Sequence, residues 1–226
     1  MTDSELIEKL RPFLTEKRME TLEAMLAKRT KHMTVVLENI FHSHNSSAVM
    51  RTCECFGIQD LHVIENNNQF TIHPDIVRGA TKWLNINRYC NATDNTPLCI
   101  DALKRDGYRI VVTSPHGEGV TNLEDFDVTK GKFAIMMGSE KVGISDYAWE
   151  HADERLTIPM CGFTESLNIS VSTAIILHTL RAKMDALGVE SDFSEEEKRT
   201  TLLHWMVESI SSGKEVLRRI LEQELD

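Results

Sequence analysis

The stretch IPMCGFTESLNISVSTAIIL, residues 158–177, decides the fold because a polar loop leads directly into a buried helix. Pro159 and Gly162 interrupt the backbone, and Ser166 and Asn168 place short polar side chains before an apolar, β-branched run that predicts the helix. Backbone N–H groups and the positive end of the helix dipole would meet a ligand there. The same Ser-Leu-Asn fits a plain N-cap, so this stretch alone leaves both interpretations open.

Two further segments favour the ligand site: NIFHSHNSSAVMRTCECFGI at 39–58 and FAIMMGSEKVGIS at 133–145. Together the three runs resemble the signature motifs of the SpoU/TrmH branch of the SPOUT RNA ribose methyltransferases. Those motifs are an N-x-x-A-x-x-R helix, a strand ending in G-x-E-x-x-G-[IL]-S, and I-P-M-x-G-x-x-x-S-L-N-[VI]-S-V. Each motif is weak alone, but all three in this order are very specific. The likeness spans roughly residues 18–185, with shorter matches at 34–39 and 79–84.

The resemblance implies an α/β fold: a mostly parallel sheet with helices on both faces and a deep trefoil knot in the C-terminal half. General topology rules predict no knot, so that expectation rests on the resemblance alone. It also implies S-adenosylmethionine bound in the knot, and a homodimer whose active site lies near the subunit boundary. We expect a helical RNA-contacting extension at 1–32, the methyltransferase domain at 33–187 and a C-terminal helical extension at 188–226.

Strand and helix patterns alternate along the chain, which independently predicts a parallel sheet covered on both faces. A capping box of Ser194 and Glu197 predicts a last helical region that breaks at 211–213. The periodicities predict strands at 34–37, 61–65, 86–90, 108–113, 133–137 and 156–159, and helices at 6–10, 16–28, 45–56, 97–105 and 167–186.

Length and composition predict one main domain, because 226 residues with 41% hydrophobic content can bury one good core. No apolar run is long enough for a signal peptide or a membrane span, so no membrane contact is expected. The cysteines are odd in number and lack a framework spacing, which predicts a cytoplasmic protein with reduced thiols. They are Cys53, Cys55, Cys90, Cys99 and Cys161.

The net charge of -10 argues against a protein that coats nucleic acid nonspecifically. The acidity is concentrated in residues 185–226, with eleven Asp and Glu against five Lys and Arg. A basic run near the N-terminus fits either a solvated helix face or the tRNA contacts that the family places in this extension. Its candidate RNA-binding residues are Lys17, Arg18, Lys28, Arg29 and Lys31.

The resemblance assigns a donor pocket to residues whose main chains line the adenosine in this family. Glycine permits close backbone approach, and apolar side chains can sandwich an adenine ring. Without the motifs, Ile158, Met160 and Leu167 would be interpreted as ordinary residues of the hydrophobic core. The candidate cofactor-binding residues are Thr113, Gly138, Ile158, Met160, Ser166 and Leu167.

The resemblance also gives the candidate catalytic residues Arg51, Asn45, Ser166, Asn168 and Glu140. Arg51 matches the family's essential arginine. Because a guanidinium is a poor base, we favour Arg51 as a clamp on the target phosphate. The alternative catalytic role is abstraction of the hydroxyl proton. The non-functional alternative is a surface ion pair with Glu54. Asn45 also fits an N-cap, and Glu140 fits a structural salt bridge.

His42 and His44 could suggest a metal, but Cys53 and Cys55 would point to opposite sides of a helix, so no metal is expected. His44 is the better candidate for an RNA contact. Family members often carry two arginines on the closing helix, where this chain offers Arg181 and Lys183 as RNA-binding candidates. This departure puts substrate identity in doubt more than the chemistry.

The leading hypothesis is an S-adenosylmethionine-dependent tRNA methyltransferase acting on the ribose 2'-hydroxyl of the D-loop guanosine at position 18. Ribosomal RNA is the alternative substrate, although such relatives often carry a separate N-terminal RNA-binding domain. The alternative from another functional class is an RNA-binding factor that has the same fold but no catalytic activity. The presence of all five candidate catalytic residues favours the enzyme.

Overall fold

The computed structural model describes residues 1–117 and 119–223, which form two compact units. One unit combines residues 1–29 with 193–223, and the other is the continuous segment 30–192. The helices are α1 (Asp3–Leu10), α2 (Glu16–Leu26), α3 (Ser43–Cys55), α4 (Pro74–Val77), α5 (Thr96–Arg105), α6 (Asp146–His151), α7 (Ile169–Leu187), α8 (Glu195–Ser209) and α9 (Gly213–Glu222). The strands are β1 (Met33–Glu38), β2 (Asp60–Ile64), β3 (Asn85–Tyr89), β4 (Arg109–Thr113), β5 (Thr121–Asn122), β6 (Phe133–Met137) and β7 (Glu154–Thr157).

A parallel sheet forms the centre of the segment 30–192. Its strand order is β3-β2-β1-β6-β4-β7-β5, and every neighbouring pair is parallel. The predicted mostly parallel sheet is therefore confirmed. The trefoil knot stays a prediction.

Side chains of β1 alternate between two cores. Val35 and Leu37 face a cluster that includes residues of α3 and α7, whereas Val36 faces a second cluster with residues of α5 and α6. Successive side chains of a strand point to opposite faces, so the sheet carries helices on both sides. All six residues of β1 are buried, as expected for a central parallel strand.

The strand order reverses its direction between β1 and β6. From β1 the chain first extends to β2 and β3, whereas β4, β7 and β5 lie on the other side of β6. Ligands of open parallel sheets bind outside the carboxyl ends of the strands at such a reversal. The segments that follow β1 and β6 meet there, where the backbone N–H groups of Phe41 and His42 donate to Glu140.

The unit of 1–29 with 193–223 is helical. Capping boxes begin α1, with Thr2 and Glu5, and α8, with the predicted Ser194 and Glu197. The predicted break is also confirmed, because α8 ends at Ser209 and α9 begins at Gly213.

Some boundaries differ from the prediction. The last strand spans 154–157, not 156–159, because its first half is polar Glu-Arg and gives no apolar signal, while Pro159 cannot donate to a ladder. The closing helix begins at Ile169, not Leu167, because Asn168 is its N-cap. The short elements α4, α6 and β5 were not predicted, since fewer than two turns or two strand residues show no periodicity.

Candidate active site

A cavity of about 450 Å³ lies at the carboxyl ends of β4, β6 and β7, beside the start of α7. This volume is within the range of small-molecule sites. All six candidate cofactor-binding residues line it: Thr113, Gly138, Ile158, Met160, Ser166 and Leu167. Three of the candidate catalytic residues line it, namely Ser166, which belongs to both sets, Glu140 and Asn168.

Position 138 has no room for a side chain, so glycine is required there. An added Cβ would lie 2.3 Å from the carbonyl carbon of Gly143 and 2.4 Å from the nitrogen of Ile144. The turn between them is closed by two backbone hydrogen bonds between Ser139 and Gly143, of 3.0 and 2.8 Å. The strand β6 therefore ends in a tight turn whose backbone forms one wall of the cavity.

Side chains from all three sequence motifs meet in one hydrogen-bond network at this wall. The Asn45 side-chain amide donates to Glu140 Oε1 at 2.7 Å, and the Asn168 amide donates to Asn45 Oδ1 at 3.1 Å. Asn168 Oδ1 accepts from the Ser170 N–H at 2.9 Å, which caps α7. Asn168 is thus both the N-cap and part of the site.

Glu140 acts as an acceptor in this network. Its oxygens also accept the backbone N–H groups of Phe41 at 3.0 Å and His42 at 3.2 Å. Burial alone would raise the pKa of the Glu140 carboxyl, but the hydrogen bonds from Asn45 and the two backbone groups hold it below the ordinary value. The hypothesis of a structural salt bridge is replaced by these hydrogen bonds, which tie the turn after β6 to the segment before α3.

Asn45 is not the N-cap of its helix. The cap position is His42, and Asn45 lies in the first turn of α3. Its side chain instead bridges Glu140 and Asn168, so the alternative that Asn45 only caps the helix is wrong.

Glu38 is a site-supporting residue that the motifs did not reveal. It is 2% exposed at the end of β1, where Oε1 accepts from the hydroxyls of Thr96 at 2.8 Å and Ser145 at 2.7 Å. Oε2 accepts the Ser145 N–H at 2.9 Å. The carboxylate fixes the far end of the turn that begins at Gly138. The only sequence signal was an acidic residue at the end of an otherwise apolar strand.

We expect Glu38→Gln to destabilise the protein by about 1–3 kcal/mol, because an amide has one acceptor oxygen where the carboxylate has two, so the donors of Thr96 and Ser145 cannot all keep their present partners. Donor affinity should fall with it, since the cavity wall loses its anchor. Urea unfolding and calorimetry measure the two effects, and Glu150→Gln on the exposed surface of α6 is the control. Unchanged unfolding and donor affinity in Glu38→Gln would contradict this role.

Arg51 lies outside the cavity. It is exposed on α3, six residues and therefore about 9 Å along the helix axis from Asn45. Within residues 1–117 and 119–223 its guanidinium forms no ion pair or hydrogen bond, so the non-functional alternative, an ion pair with Glu54, is not present. The charge remains available for a ligand that comes from outside this chain.

Several candidate RNA-binding residues are engaged within their own units. Arg18 donates to the Ser209 hydroxyl at 3.3 and 3.0 Å, and buried Arg29 lies 5.0 Å above the Trp205 ring. The remaining contacts are an ion pair of Lys31 with Asp60 at 3.2 Å, one of Arg181 with Asp185 at 3.1 Å, and hydrogen bonds from Lys183 to the carbonyls of Glu124 and Phe126 at 2.6 and 2.8 Å. Lys17, Lys28 and His44 are exposed.

In the part of the chain that the structure describes, no three His, Cys, Asp or Glu side chains are arranged to hold a metal ion. None of the five cysteines forms a disulfide. None of the described helices is long and apolar enough to cross a membrane.

Comparison with known proteins agrees with this geometry. Residues 32–178 match the model of the SpoU rRNA methylase family. A tRNA (guanosine(18)-2'-O)-methyltransferase of Borreliella burgdorferi is 40% identical over 196 residues, which cover 87% of each chain.

Solved structures show the same relationship. The A. aeolicus TrmH/SpoU tRNA-modifying enzyme superposes with a TM-score of 0.76 at 33% identity, over 87% of this chain and 98% of that one. The SpoU methyltransferase AviRb of Streptomyces viridochromogenes, solved with its cofactor AdoMet, shares the fold with a TM-score of 0.59 at 23% identity, over 70% and 60% of the two chains. The family match over residues 32–178, together with a relative that is 40% identical over 87% of each chain, shows that this protein belongs to the SpoU methylase family.

Proposed function

We propose that the protein transfers a methyl group from S-adenosylmethionine to the ribose 2'-hydroxyl of the guanosine at position 18 in the D loop of tRNA. The observation that carries the proposal is the network of Asn45, Glu140 and Asn168, which joins the three motifs at the rim of a cavity of small-molecule size. The substrate follows from the relatives, which methylate this guanosine and match the chain over nearly its whole length.

The cavity fits the methyl donor. Ile158, Met160 and Leu167 supply apolar surface for an adenine ring, and the glycine turn after β6 exposes backbone groups for the polar edges of the ligand. When bound there, the donor supplies an electrophilic methyl group on a sulfonium. No residue needs to provide a metal for this reaction.

The chain's own residues would position the acceptor. Ser166 and Asn168 are exposed at the cavity wall, where their polar groups can hold the ribose. Glu140 has both oxygens occupied by hydrogen bonds, so we infer that it positions Asn45 and does not abstract a proton. Arg51 would clamp the target phosphate and orient the hydroxyl, whose proton would pass to water as the methyl group leaves the sulfonium, with proton abstraction by Arg51 as the alternative.

The test is nucleoside mapping of tRNA and ribosomal RNA after incubation with the protein and labelled donor, using RNA from cells that lack the modification. We expect 2'-O-methylguanosine in tRNA only. Label in ribosomal RNA alone would establish the alternative substrate. If neither RNA took up label although the protein bound the donor, the result would favour a catalytically silent factor.

We further infer a homodimer. Val171 and Ile175 are 46% and 36% exposed and lie one turn apart, so they form an apolar stripe along the first half of α7, and Leu167, 38% exposed, lies just before this helix. The neighbouring helix α3 shares a core cluster with α7 and carries Arg51. A second subunit on this stripe would therefore come close to Arg51, and the site would be shared between two copies.

Light scattering should report about twice the 25.7 kDa chain mass. The double variant Val171→Glu with Ile175→Glu should become monomeric and lose methyl transfer while keeping its circular dichroism, because two charges would be desolvated at the interface. Leu98→Glu, at an equally exposed apolar site on α5, is the control. A monomer with full activity would refute the shared site.

The basic residues of the N-terminal extension would add affinity for tRNA, and we assign this to exposed Lys17 and Lys28. Changing both to Gln should weaken tRNA binding and reduce its salt slope by about two. Lys31→Gln is the matched control, because Lys31 is paired with Asp60. An unchanged slope in the double variant would place the electrostatic contacts elsewhere. Since tRNA is a cytoplasmic substrate and cysteines without disulfides fit a reducing compartment, we expect the protein to act in the cytoplasm.

A further inference from the structure

Phe41 is an exposed aromatic side chain fixed beside the reaction centre. It is 48% exposed, although its neighbour Ile40 is buried. Its backbone N–H donates to Glu140 Oε2 at 3.0 Å, and the next N–H, of His42, donates to Oε1 at 3.2 Å. The same carboxylate holds Asn45. The ring is therefore attached to the network that positions the site.

A positive charge accompanies this ring. The Lys141 ammonium lies over one face of the Phe41 ring, 3.9 Å from its centre, and in the residues described it has no ion pair, so a base would use the other face. Lys141 is at the tip of the turn that Ser139 and Gly143 close with two backbone hydrogen bonds, so its backbone is fixed as well. The rings of Phe41 and His42 form a T-shaped pair with a centroid distance of 4.8 Å and an interplanar angle of 83°.

An exposed aromatic ring beside an ammonium group that has no ion pair suits a nucleotide from a single-stranded part of an RNA. Bases that are not in a helix stack on aromatic side chains, and ammonium groups neutralise the adjoining phosphates. We propose that Phe41 and Lys141 form a nucleotide platform on which a base at or next to the methylated nucleotide stacks, while Lys141 contacts its phosphate. This inference rests on the proposed function and names the residues that hold the RNA at the site.

The platform should not choose guanine, because every base has a π face. It should contribute affinity and alignment, and the choice of nucleotide must come from other contacts. Neither residue lines the donor cavity, so donor binding should be independent of both.

The test compares kcat/KM for tRNA in Phe41→Ala, Phe41→Leu and Phe41→Trp, with calorimetry of donor binding as the measure of an intact site. Phe41→Ala should lose about 10-fold in kcat/KM, Phe41→Leu should lose nearly as much, and Phe41→Trp should stay close to the unchanged protein. Lys141→Gln should weaken tRNA binding and lower its salt slope by about one. Leu98→Ala, also 48% exposed, is the matched control and should behave as the unchanged protein.

Equal kcat/KM in Phe41→Ala and the unchanged protein would overturn the platform, as would full activity in Phe41→Leu, since leucine replaces apolar area but not a π face. Light scattering adds one more outcome. A shift of Phe41→Ala to monomers would assign the ring to a subunit interface and reject the platform. If the unchanged protein transferred no methyl group to any RNA, the proposed function would fail and the platform with it.

Discussion

Arg51→Ala should lower methyl transfer to tRNA by about 100-fold or more, the scale on which loss of a single preorganised charged or hydrogen-bonding group acts on a reaction. The affinity for the methyl donor should not change, because Arg51 lies outside the cavity. Arg51→Lys should restore little activity, since a point charge does not reproduce the planar fork of a guanidinium. Single-turnover assays and calorimetry measure the two quantities.

Arg105→Ala, at an exposed position of α5, is the control for loss of an arginine charge. Loss of a phosphate clamp raises KM for tRNA as well as lowering kcat, whereas a loss confined to kcat would favour proton abstraction. If Arg51→Ala kept near-normal turnover, Arg51 would be an ordinary surface residue.

Gly138→Ala should remove donor binding. The new methyl group would lie 2.3 to 2.5 Å from three backbone atoms of Gly143 and Ile144, well inside van der Waals contact. The backbone of Gly143 and Ile144 cannot move without opening the turn that forms the cavity wall. We therefore expect the free energy of unfolding to fall by about 1–3 kcal/mol, together with the loss of donor affinity. Calorimetry with the donor and urea unfolding measure both.

Gly162→Ala is the matched control, because it changes a glycine in the loop that leads to the same cavity. The nearest atom to its added Cβ is the Thr164 nitrogen at 3.9 Å, an ordinary contact. Donor affinity should stay within a few-fold of the unchanged protein. Normal donor binding by Gly138→Ala would show that the turn after β6 does not form the donor site.

The sheet and the donor cavity could be predicted from sequence because their signals are local. Buried parallel strands are short apolar runs, as in FAIMM at 133–137, and the predicted bounds of this strand match the structure. The cavity residues are on turns that directly follow such strands, and the motifs identify those turns. The strand at 154–157 was misplaced because its first two residues are polar.

The contacts among the site residues could not be predicted. Asn45 is 95 residues from Glu140 and 123 residues from Asn168, so no local pattern encodes their hydrogen bonds. The engagement of charged residues is also a tertiary property. Arg29 and Lys31 belong to one basic run in the sequence, yet one lies over Trp205 and the other pairs with Asp60.

The central claim is methyl transfer to one ribose hydroxyl of tRNA, and a pair of tRNA transcripts tests it most directly. One carries guanosine at position 18, and the other carries 2'-deoxyguanosine there. After incubation with the protein and methyl-labelled S-adenosylmethionine, the first transcript should yield labelled 2'-O-methylguanosine and the second should take up no label. Equal labelling of both transcripts, or label on a base, would contradict the account.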